Sequence, residues 1–250
     1  MSMGDWPYPF WIAHRGAGKL APENTLAAFR LGASHGYNAF ECDLKLSADG
    51  VPFLLHDDTL DRTTNAKGVA GARPWSELSR LDAGSWHGAA YAGEPPASFE
   101  ALVAFCVANG HALDLEIKPS PGTETDTGRA VGECVRKLWR GTPPLLSSFK
   151  TQALAGARDA APELPRALLL DTLWPGCMEM AASLDCVAVI TNHKLMDGGL
   201  LQQIQGAGRH ALVYTVNDAV RADELIALGI DGIVTDAVDH LGPDAPKRAR

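Results

Sequence analysis

Short apolar runs alternate with segments of helical periodicity along most of the chain. Each run spans four to six residues, the length of a buried strand, and the segments between them have the length of a helix. Polar capping residues support two of the helices, because Thr25 and Ser98 each precede an apolar helical pattern. The predicted strands cover residues 10–13, 39–44, 112–117, 145–149, 167–170, 187–191, 212–216 and 232–235.

This alternation predicts an α/β fold with a parallel sheet. The first strand, helix and second strand form one βαβ unit, whose right-handed crossover makes its two strands parallel. Eight parallel strands are the number that closes a (β/α)8 TIM-type barrel. We therefore expect residues 1–250 to form a single barrel domain, since such barrels reach this length as one unit.

A β-hairpin is predicted between residues 41 and 57. Asp49-Gly50 lies between two runs of strand-forming residues, a strong signal for a two-residue turn. That turn would pair Ala48 with Val51 and Asp43 with His56. Alternation would then place Glu41, Asp43 and His56 on one face of the hairpin.

The hairpin's return strand, residues 51–55, runs antiparallel and cannot be one of the eight barrel strands. We assign it to a small insertion after the second barrel strand, residues 45–97, with its own packed face. At the other end of the chain, residues 239–250 contain Pro243, Pro246 and several basic residues. This composition predicts a frayed tail.

Composition and charge exclude several classes of function. A net charge of −8 argues against a nucleic-acid-binding protein and against attraction to an anionic membrane. The five cysteines have no metal-type spacing and indicate reduced thiols in a reducing compartment. The N-terminal residues have no secretory-signal pattern, and no run is long enough to span a membrane. We expect a cytoplasmic protein.

Charged side chains lie near the C-terminal ends of several predicted strands. Alone, His14-Arg15 would be a hydrogen-bonded surface pair and Glu41 with Asp43 a solvated strand face. However, Glu116 and Lys118 end a neighbouring strand, and the C-terminal ends of barrel strands are where chemistry is located. Bringing these charges together would be costly without a compensating ion or ligand, so the set favours a functional site.

Several motifs carry a resemblance to a known family. They are His14-Arg15-Gly16, Pro22-Glu23-Asn24-Thr25, Glu41-x-Asp43, His56-Asp57, Leu60-x-Arg62-Thr63-Thr64 and Glu116-Ile117-Lys118. In order and spacing they resemble the bacterial glycerophosphodiester phosphodiesterase family across nearly the whole chain. The segments 214–217 and 232–236 are similar to its late-strand motifs, although the family often carries tryptophan where this chain has Tyr214.

The resemblance implies a role for each matching residue. It implies one divalent metal ion on Glu41, Asp43 and Glu116. It also implies acid/base catalysis by His14 and His56, phosphate binding by Arg15 and Lys118, and a possible substrate pocket at Tyr214 and Asn217. Ligation by oxygen alone suits Mg²⁺ or Ca²⁺. Three carboxylates give −3, whereas the ion, Arg15 and Lys118 give +4, so a phosphodiester at −1 makes the site neutral.

The resemblance further implies a small-molecule substrate. The expected reaction is the hydrolysis of glycerophosphodiesters, such as glycerophosphocholine or glycerophosphoethanolamine, to glycerol 3-phosphate and an alcohol. The position of His56 beside Asp43 favours His56 as the acid and His14 as the base, and the reverse assignment stays open.

Two alternatives to this reaction remain open. A lysophospholipase D-type enzyme would need an apolar channel, which Trp75, Trp86, Tyr91 and Phe99 could supply. A catalytically silent phosphate-binding barrel is the other alternative.

Overall fold

A computed structural model describes residues 6–243 of the protein. The strands are β1 (Trp11–Ala13), β2 (Ala39–Leu46), β3 (Pro52–Leu54), β4 (Ala112–Ile117), β5 (Leu145–Ser148), β6 (Arg166–Leu170), β7 (Ala188–Asn192), β8 (His210–Tyr214) and β9 (Gly232–Thr235). The helices are α1 (Leu26–Ser34), α2 (Trp75–Leu78), α3 (Phe99–Asn109), α4 (Glu124–Leu138), α5 (Thr151–Ala160), α6 (Cys177–Ser183), α7 (Gly198–Gly206) and α8 (Ala219–Leu228).

Eight of the strands form a closed parallel barrel, as predicted. Strand β1 pairs with β2 on one side and with β9 on the other, and the remaining parallel strands follow in chain order. Strand β3 lies antiparallel to β2, outside the parallel set. The fold is therefore the TIM-type barrel that the strand count indicates.

Side-chain alternation along the strands builds two apolar layers. Inward-facing residues from the parallel strands, including Ile12, Leu145, Leu169 and Ile190, form one cluster that fills the barrel. Outward-facing residues pack against the helices in two further clusters. Both layers are apolar, so charged side chains can meet only at the rim, where the strands end.

Both predicted helix caps are present. The side chains of Thr25 and Ser98 accept hydrogen bonds from the backbone N–H groups of Ala28 and Ala101, each at 3.2 Å. Each bond satisfies one of the otherwise unpaired N–H groups in the first helical turn. The prediction of helices starting after these residues is confirmed.

The predicted register of the β2–β3 hairpin is wrong by one residue. Leu44 pairs with Leu54, and Asp43 therefore lies opposite Leu55, where the prediction paired Asp43 with His56. The turn contains three residues, because Ser47 pairs with Val51 through a 3.0 Å bond and Gly50 closes the loop with φ +77°. The Asp49 side chain accepts bonds from Ser47 Oγ at 2.6 Å and from the N–H of Trp75 at 2.9 Å. These side-chain bonds favour the longer loop over the two-residue turn.

The segment between β3 and α3 has a small core of its own. Phe53, Leu55, Leu60 and Leu78 are buried together, and Trp75 packs against Phe53 with 5.8 Å between ring centroids. This cluster agrees with the packed face expected for the insertion. The bounds 45–97 and the single-domain organisation stay predictions.

The first part of the predicted tail is ordered, contrary to the expectation of fraying. Leu241 is buried, and its carbonyl accepts a hydrogen bond from the Tyr37 hydroxyl. The buried apolar side chain and the hydrogen bond both attach this segment to the barrel. Residues 244–250 lie outside the described part of the chain.

Two further observations concern membrane spans and cysteines in the described residues. No helix within residues 6–243 combines the length and the apolar character needed to cross a membrane. All five cysteines, which lie in the described part of the chain, carry free thiols.

Candidate active site

Three neighbouring strand ends bring the charged side chains together at one end of the barrel. Strand β1 leads into His14 and Arg15, and the parallel register of β2 and β4 places Asp43 directly beside Glu116. The residues surround a cavity of about 160 Å³. Its polar lining consists of His14, Arg15, Glu41, His56, Asp114, Glu116, Lys118, Ser147 and Thr215.

Three buried carboxylates form a compact cluster at this cavity. Glu41, Asp43 and Glu116 each offer an oxygen atom, and these atoms all lie within 4.8 Å of one another. The Oδ1 atom of Asp43 is buried and has no hydrogen-bond partner among residues 6–243. Buried carboxylates normally accept hydrogen bonds, so a carboxylate oxygen that accepts none in an acidic cluster is suited to a cation.

Two cations lie against the cluster. Lys118 Nζ is 2.8 Å from Glu116 Oε1 and 3.6 Å from Asp43 Oδ1. Arg15 Nε is 3.2 Å from Asp43 Oδ2, and Arg15 Nη1 donates to Glu23 at 2.7 Å. The cations offset part of the negative charge and face the same cavity.

The carboxylates differ strongly in acidity. Burial raises the pKa of Glu116 to about 7, with repulsion from Asp43 adding to the rise. Burial also raises the pKa of Glu41 well above its ordinary value. Burial would do the same to Asp43, but Arg15 and Lys118 hold its pKa at about 2. The cluster therefore binds protons near neutral pH unless another cation is present.

Each of the two predicted catalytic histidines is bonded to a carboxylate. His14 Nδ1 lies 2.5 Å from Asp236 Oδ1, and its Nε2 lies 3.7 Å from Glu41 Oε2. His56 Nδ1 lies 2.8 Å from Asp57 Oδ1. Both rings line the cavity. Burial lowers the pKa of His56.

His56 reaches the cavity by a different route from the one predicted. With the observed register, strict alternation would place it on the face opposite Asp43. Strand β3 ends at Leu54, and the chain bends after the Leu55 N–H donates to the Asp43 carbonyl at 3.1 Å. The bend, rather than alternation along a strand, turns the imidazole toward Asp43.

The remaining cavity wall is mostly apolar. It contains Phe149, Leu169, Ile190, Tyr214 and Val234. The rings of Phe149 and Tyr214 meet edge to face with 5.7 Å between centroids. Tyr214, a predicted pocket residue, is therefore part of the wall.

Asn217, the other predicted pocket residue, lies outside the cavity lining. Its side chain is bonded to Asp236, with 2.9 Å between Asn217 Nδ2 and Asp236 Oδ2. Sequence reasoning missed the contact between Asp236 and His14. The available signal was that both residues directly follow strands that pair in the barrel.

The chain is similar in sequence to a known enzyme family. The sequence profile of the family described as "Glycerophosphoryl diester phosphodiesterase family" matches residues 14–240, which include every charged residue of the cavity. The chain belongs to this family. As a member of the glycerophosphoryl diester phosphodiesterase family, it is an enzyme that hydrolyses phosphoric diesters.

Relatives in the family cover almost the whole chain. The glycerophosphodiester phosphodiesterase of Caldanaerobacter subterraneus subsp. tengcongensis is 29% identical over 234 residues, 92% of this chain and 95% of that protein. A phosphodiesterase of Oleispira antarctica, solved with the product sn-glycerol-3-phosphate, is 35% identical with a TM-score of 0.88. The alignment covers 92% of this chain and 94% of the Oleispira chain.

A second solved structure shows the same barrel. The glycerophosphodiester phosphodiesterase of Agrobacterium tumefaciens is 28% identical with a TM-score of 0.79. The alignment covers 92% of this chain and 97% of the Agrobacterium chain.

Proposed function

We propose that this enzyme hydrolyses glycerophosphodiesters, such as glycerophosphocholine or glycerophosphoethanolamine, to glycerol 3-phosphate and the free alcohol. One divalent metal ion and two histidines would carry the reaction. The observation that carries the proposal is the convergence of one acidic cluster, two cations and two imidazoles on a single cavity. The Oleispira antarctica relative, solved with sn-glycerol-3-phosphate, supports the choice of product.

The acidic cluster fits a hard divalent cation. Glu41, Asp43 and Glu116 supply only oxygen ligands, which favours Mg²⁺ or Ca²⁺ over zinc. Asp43 Oδ1 accepts no hydrogen bond from the described residues, and the pKa of Glu116 is raised, so both groups favour an added positive charge at the cluster. When bound, such an ion would offset negative charge on a phosphate group.

Arg15 and Lys118 would bind the phosphate. Both line the cavity beside the carboxylates, and Lys118 Nζ lies 5.6 Å from the centre of the Phe149 ring on the apolar wall. With −3 from the carboxylates and +4 from a divalent ion and these two side chains, the site attracts a monoanionic diester. Charge–charge attraction in a largely buried cavity is strong enough to orient the substrate.

The histidines would transfer the protons. Because Nδ1 of each ring is bonded to a carboxylate, Nε2 is the atom available to the substrate. We propose that His14 accepts the proton of the attacking oxygen and His56 donates one to the departing alkoxide. Each is expected to contribute roughly 10²- to 10⁴-fold.

The positions of four aromatic side chains argue against lysophospholipid as the substrate. Phe99 is fully buried in the core and Trp75 packs on Phe53. Within the described residues, neither of them, nor Trp86 or Tyr91, lines the cavity. An acyl chain would therefore find no channel built from these rings.

Product identification across a substrate panel tests the reaction. The panel contains glycerophosphocholine, glycerophosphoethanolamine and lysophosphatidylcholine, with glycerol 3-phosphate measured by a coupled dehydrogenase assay. We expect glycerol 3-phosphate from both glycerol diesters and negligible turnover of the lysophospholipid. Release of choline from lysophosphatidylcholine alone would select the lysophospholipase D reaction, and no turnover of any diester in the panel would contradict the proposed substrates.

A change of leaving group tests the two histidine roles. A p-nitrophenyl leaving group departs without protonation, so loss of the acid should cost little on such a diester. We expect His56→Ala to be rescued by the activated substrate and His14→Ala to stay impaired. Rescue of His14→Ala instead would reverse the roles, and rescue of neither would contradict the two-histidine scheme.

A further inference from the structure

We infer that Asp236 and Asn217 are positioning residues that hold the His14 ring in its working orientation. The inference rests on the proposed role of His14 and adds two residues to the machinery of that site. Neither residue would touch the substrate, because both act through the Nδ1 side of the imidazole, away from the cavity.

Backbone pairing brings His14 and Asp236 side by side. Strands β1 and β9 pair in parallel with Ala13 opposite Thr235, and the His14 N–H donates to the Thr235 carbonyl at 2.9 Å. The next residues of the two strands therefore meet at the rim. Gly18 keeps the loop after His14 close, since a Cβ at this position would lie 2.1 Å from the Asp236 carbonyl oxygen.

Asn217 fixes Asp236 at two points. Asn217 Nδ2 donates to Asp236 Oδ2 at 2.9 Å, and Asn217 Oδ1 accepts from the Asp236 backbone N–H at 2.8 Å. The amide thus holds both the backbone and the second carboxylate oxygen of Asp236. The first oxygen, Oδ1, is left to bond His14 Nδ1 at 2.5 Å.

The consequence is a single tautomer and a single ring orientation. A carboxylate can only accept a hydrogen bond, so the Nδ1 atom of His14 must carry the proton that it donates to Asp236. The Nε2 atom then presents its lone pair to the cavity. Nε2 is 3.7 Å from Glu41 Oε2, at the edge of the acidic cluster. A proton acceptor at this position is what the proposed role of His14 requires.

The second histidine is held by a different partner set. Asp57 bonds His56 Nδ1, but its charge is also matched by Arg62, whose Nε lies 2.8 Å from Asp57 Oδ2. Arg62 is bound in turn by Glu23 at 2.6 Å. The His14 side uses a neutral amide where the His56 side uses an ion pair, so the two dyads can be tested independently.

Asp236→Asn is the informative substitution. The amide has the same size as the carboxylate, but by donating to Nδ1 it would stabilise the opposite tautomer, with N–H facing the cavity. We expect kcat on glycerophosphocholine to fall roughly 10²-fold or more while KM changes only a few-fold. Asn217→Ala should lower kcat by a smaller factor, because Asp236 keeps its carboxylate.

A matched control exists at Asp239, three residues further along the chain. His240 Nδ1 lies 2.7 Å from Asp239 Oδ1 in an exposed pair of the same chemistry. Asp239→Asn makes the same chemical change and should leave kcat unchanged. Equal losses in Asp239→Asn and Asp236→Asn would overturn the inference.

A double-mutant cycle separates positioning from general structural damage. On a p-nitrophenyl diester, Asp236→Asn and Asn217→Ala should each lower the rate in the native background and have no further effect in the His14→Ala background. Multiplicative losses in both backgrounds would show a structural role. A native kcat in both variants would also overturn the inference. If Asp236→Asn fails to fold, the kcat of Asn217→Ala alone decides whether the positioning role holds.

The cycle distinguishes this inference from the proposed function. If His14→Ala retains native activity, the proposed acid/base scheme is wrong. If His14→Ala is impaired while Asp236→Asn is not, the scheme stands and only the positioning role fails.

Discussion

At the scale of single residues, acidic side chains on one strand have separate environments. Asp114 and Glu116 both lie on β4 and face the cavity, and burial raises the pKa of each to about 7. Asp114 is satisfied by a 2.6 Å bond from Ser147 Oγ, whereas Glu116 belongs to the acidic cluster. The two residues offer a matched pair for testing which carboxylates bind the metal.

Glu116→Gln should weaken binding of a divalent ion and lower kcat by roughly 10²-fold while the barrel stays folded, because it removes one ligand charge at the rim. Asp114 lies two residues before Glu116 on the same face of β4. The Asp114→Asn variant should keep its bond to Ser147 and change metal affinity little. Isothermal titration calorimetry of both variants measures metal affinity, and circular dichroism shows whether the barrel stays folded. Equal loss of metal affinity in the two variants would contradict the assignment of the cluster.

The raised carboxylate pKa values also predict how stability depends on pH. Without metal, the folded protein holds protons on Glu116 and Asp114 up to about pH 7, whereas the unfolded chain releases them near the ordinary values of 4.5 and 3.8. The folded state therefore binds more protons between about pH 5 and 7, and the free energy of unfolding falls as pH rises through this window.

A bound divalent ion would relieve that cost at Glu116. We expect Mg²⁺ or Ca²⁺ to raise Tm more at pH 8 than at pH 5.5, because protons compete with the metal at the lower pH. Thermal unfolding of the metal-free and metal-loaded protein at both values measures the shift. A shift that is the same at pH 5.5 and pH 8 would show that the carboxylates do not bind the ion.

Period-two alternation was sufficient to predict part of the site at this scale. It placed Glu41 and Asp43 on a common face, and in the structure both belong to the acidic cluster. Alternation alone does not predict the Asp236 contact, because His14 and Asp236 are 222 residues apart and meet only through closure of the barrel. A pairing between first and last strands leaves no local signal in the sequence.

At the scale of elements, the hairpin shows where local rules fail. The Asp-Gly dipeptide correctly marked the turn and its positive φ, but not its length. Turn length was set by the bonds from Ser47 and Trp75 to Asp49, and the second of these comes from a helix 26 residues away. The helix caps at Thr25 and Ser98 were predicted correctly because their partners lie three residues away.

The hairpin loop should matter for activity as well as stability. Gly50→Val forces a β-branched residue to φ +77°, which costs about 1–2 kcal/mol, and a Cβ there meets no described atom within 4 Å. Gly141 at φ +92° is equally open and lies in the loop between α4 and β5. We expect both valine variants to lose a few degrees of Tm, at about 2–4 °C per kcal/mol.

Only Gly50→Val should also lower kcat, by several-fold, because its loop sets the register of β3 and hence the position of His56. Steady-state kinetics of both variants below their Tm measure the difference. Equal kcat values in the Gly50 and Gly141 variants would show that the hairpin turn does not control the imidazole.

At the scale of the whole molecule, the barrel was predictable because eight apolar runs alternate with helical segments. Each strand is short, and the buried apolar cluster inside the barrel consists of aliphatic residues. The C-terminal segment was less predictable, since proline and basic residues indicated fraying from residue 239 onward. The apolar Leu241 was the contrary signal, and it packs against the helical layer.

The C-terminal segment should therefore divide into two parts. Leu241→Ala should lower stability by about 2 kcal/mol or more, since it removes a buried side chain. Removal of residues 244–250 should leave Tm and turnover nearly unchanged, as their composition predicts. Thermal unfolding and kcat of the two variants test this division, and a large loss in the truncated protein would mean that residues 244–250 contribute to the fold.

The most direct test of the account is metal-dependent formation of glycerol 3-phosphate from glycerophosphocholine, followed by ³¹P NMR. The protein is assayed as purified, with excess chelator, and after addition of Mg²⁺ or Ca²⁺. We expect conversion of the diester signal to that of glycerol 3-phosphate, loss of conversion with chelator, and recovery with one of the two ions. Undiminished conversion in excess chelator, or a product other than glycerol 3-phosphate, would contradict this expectation.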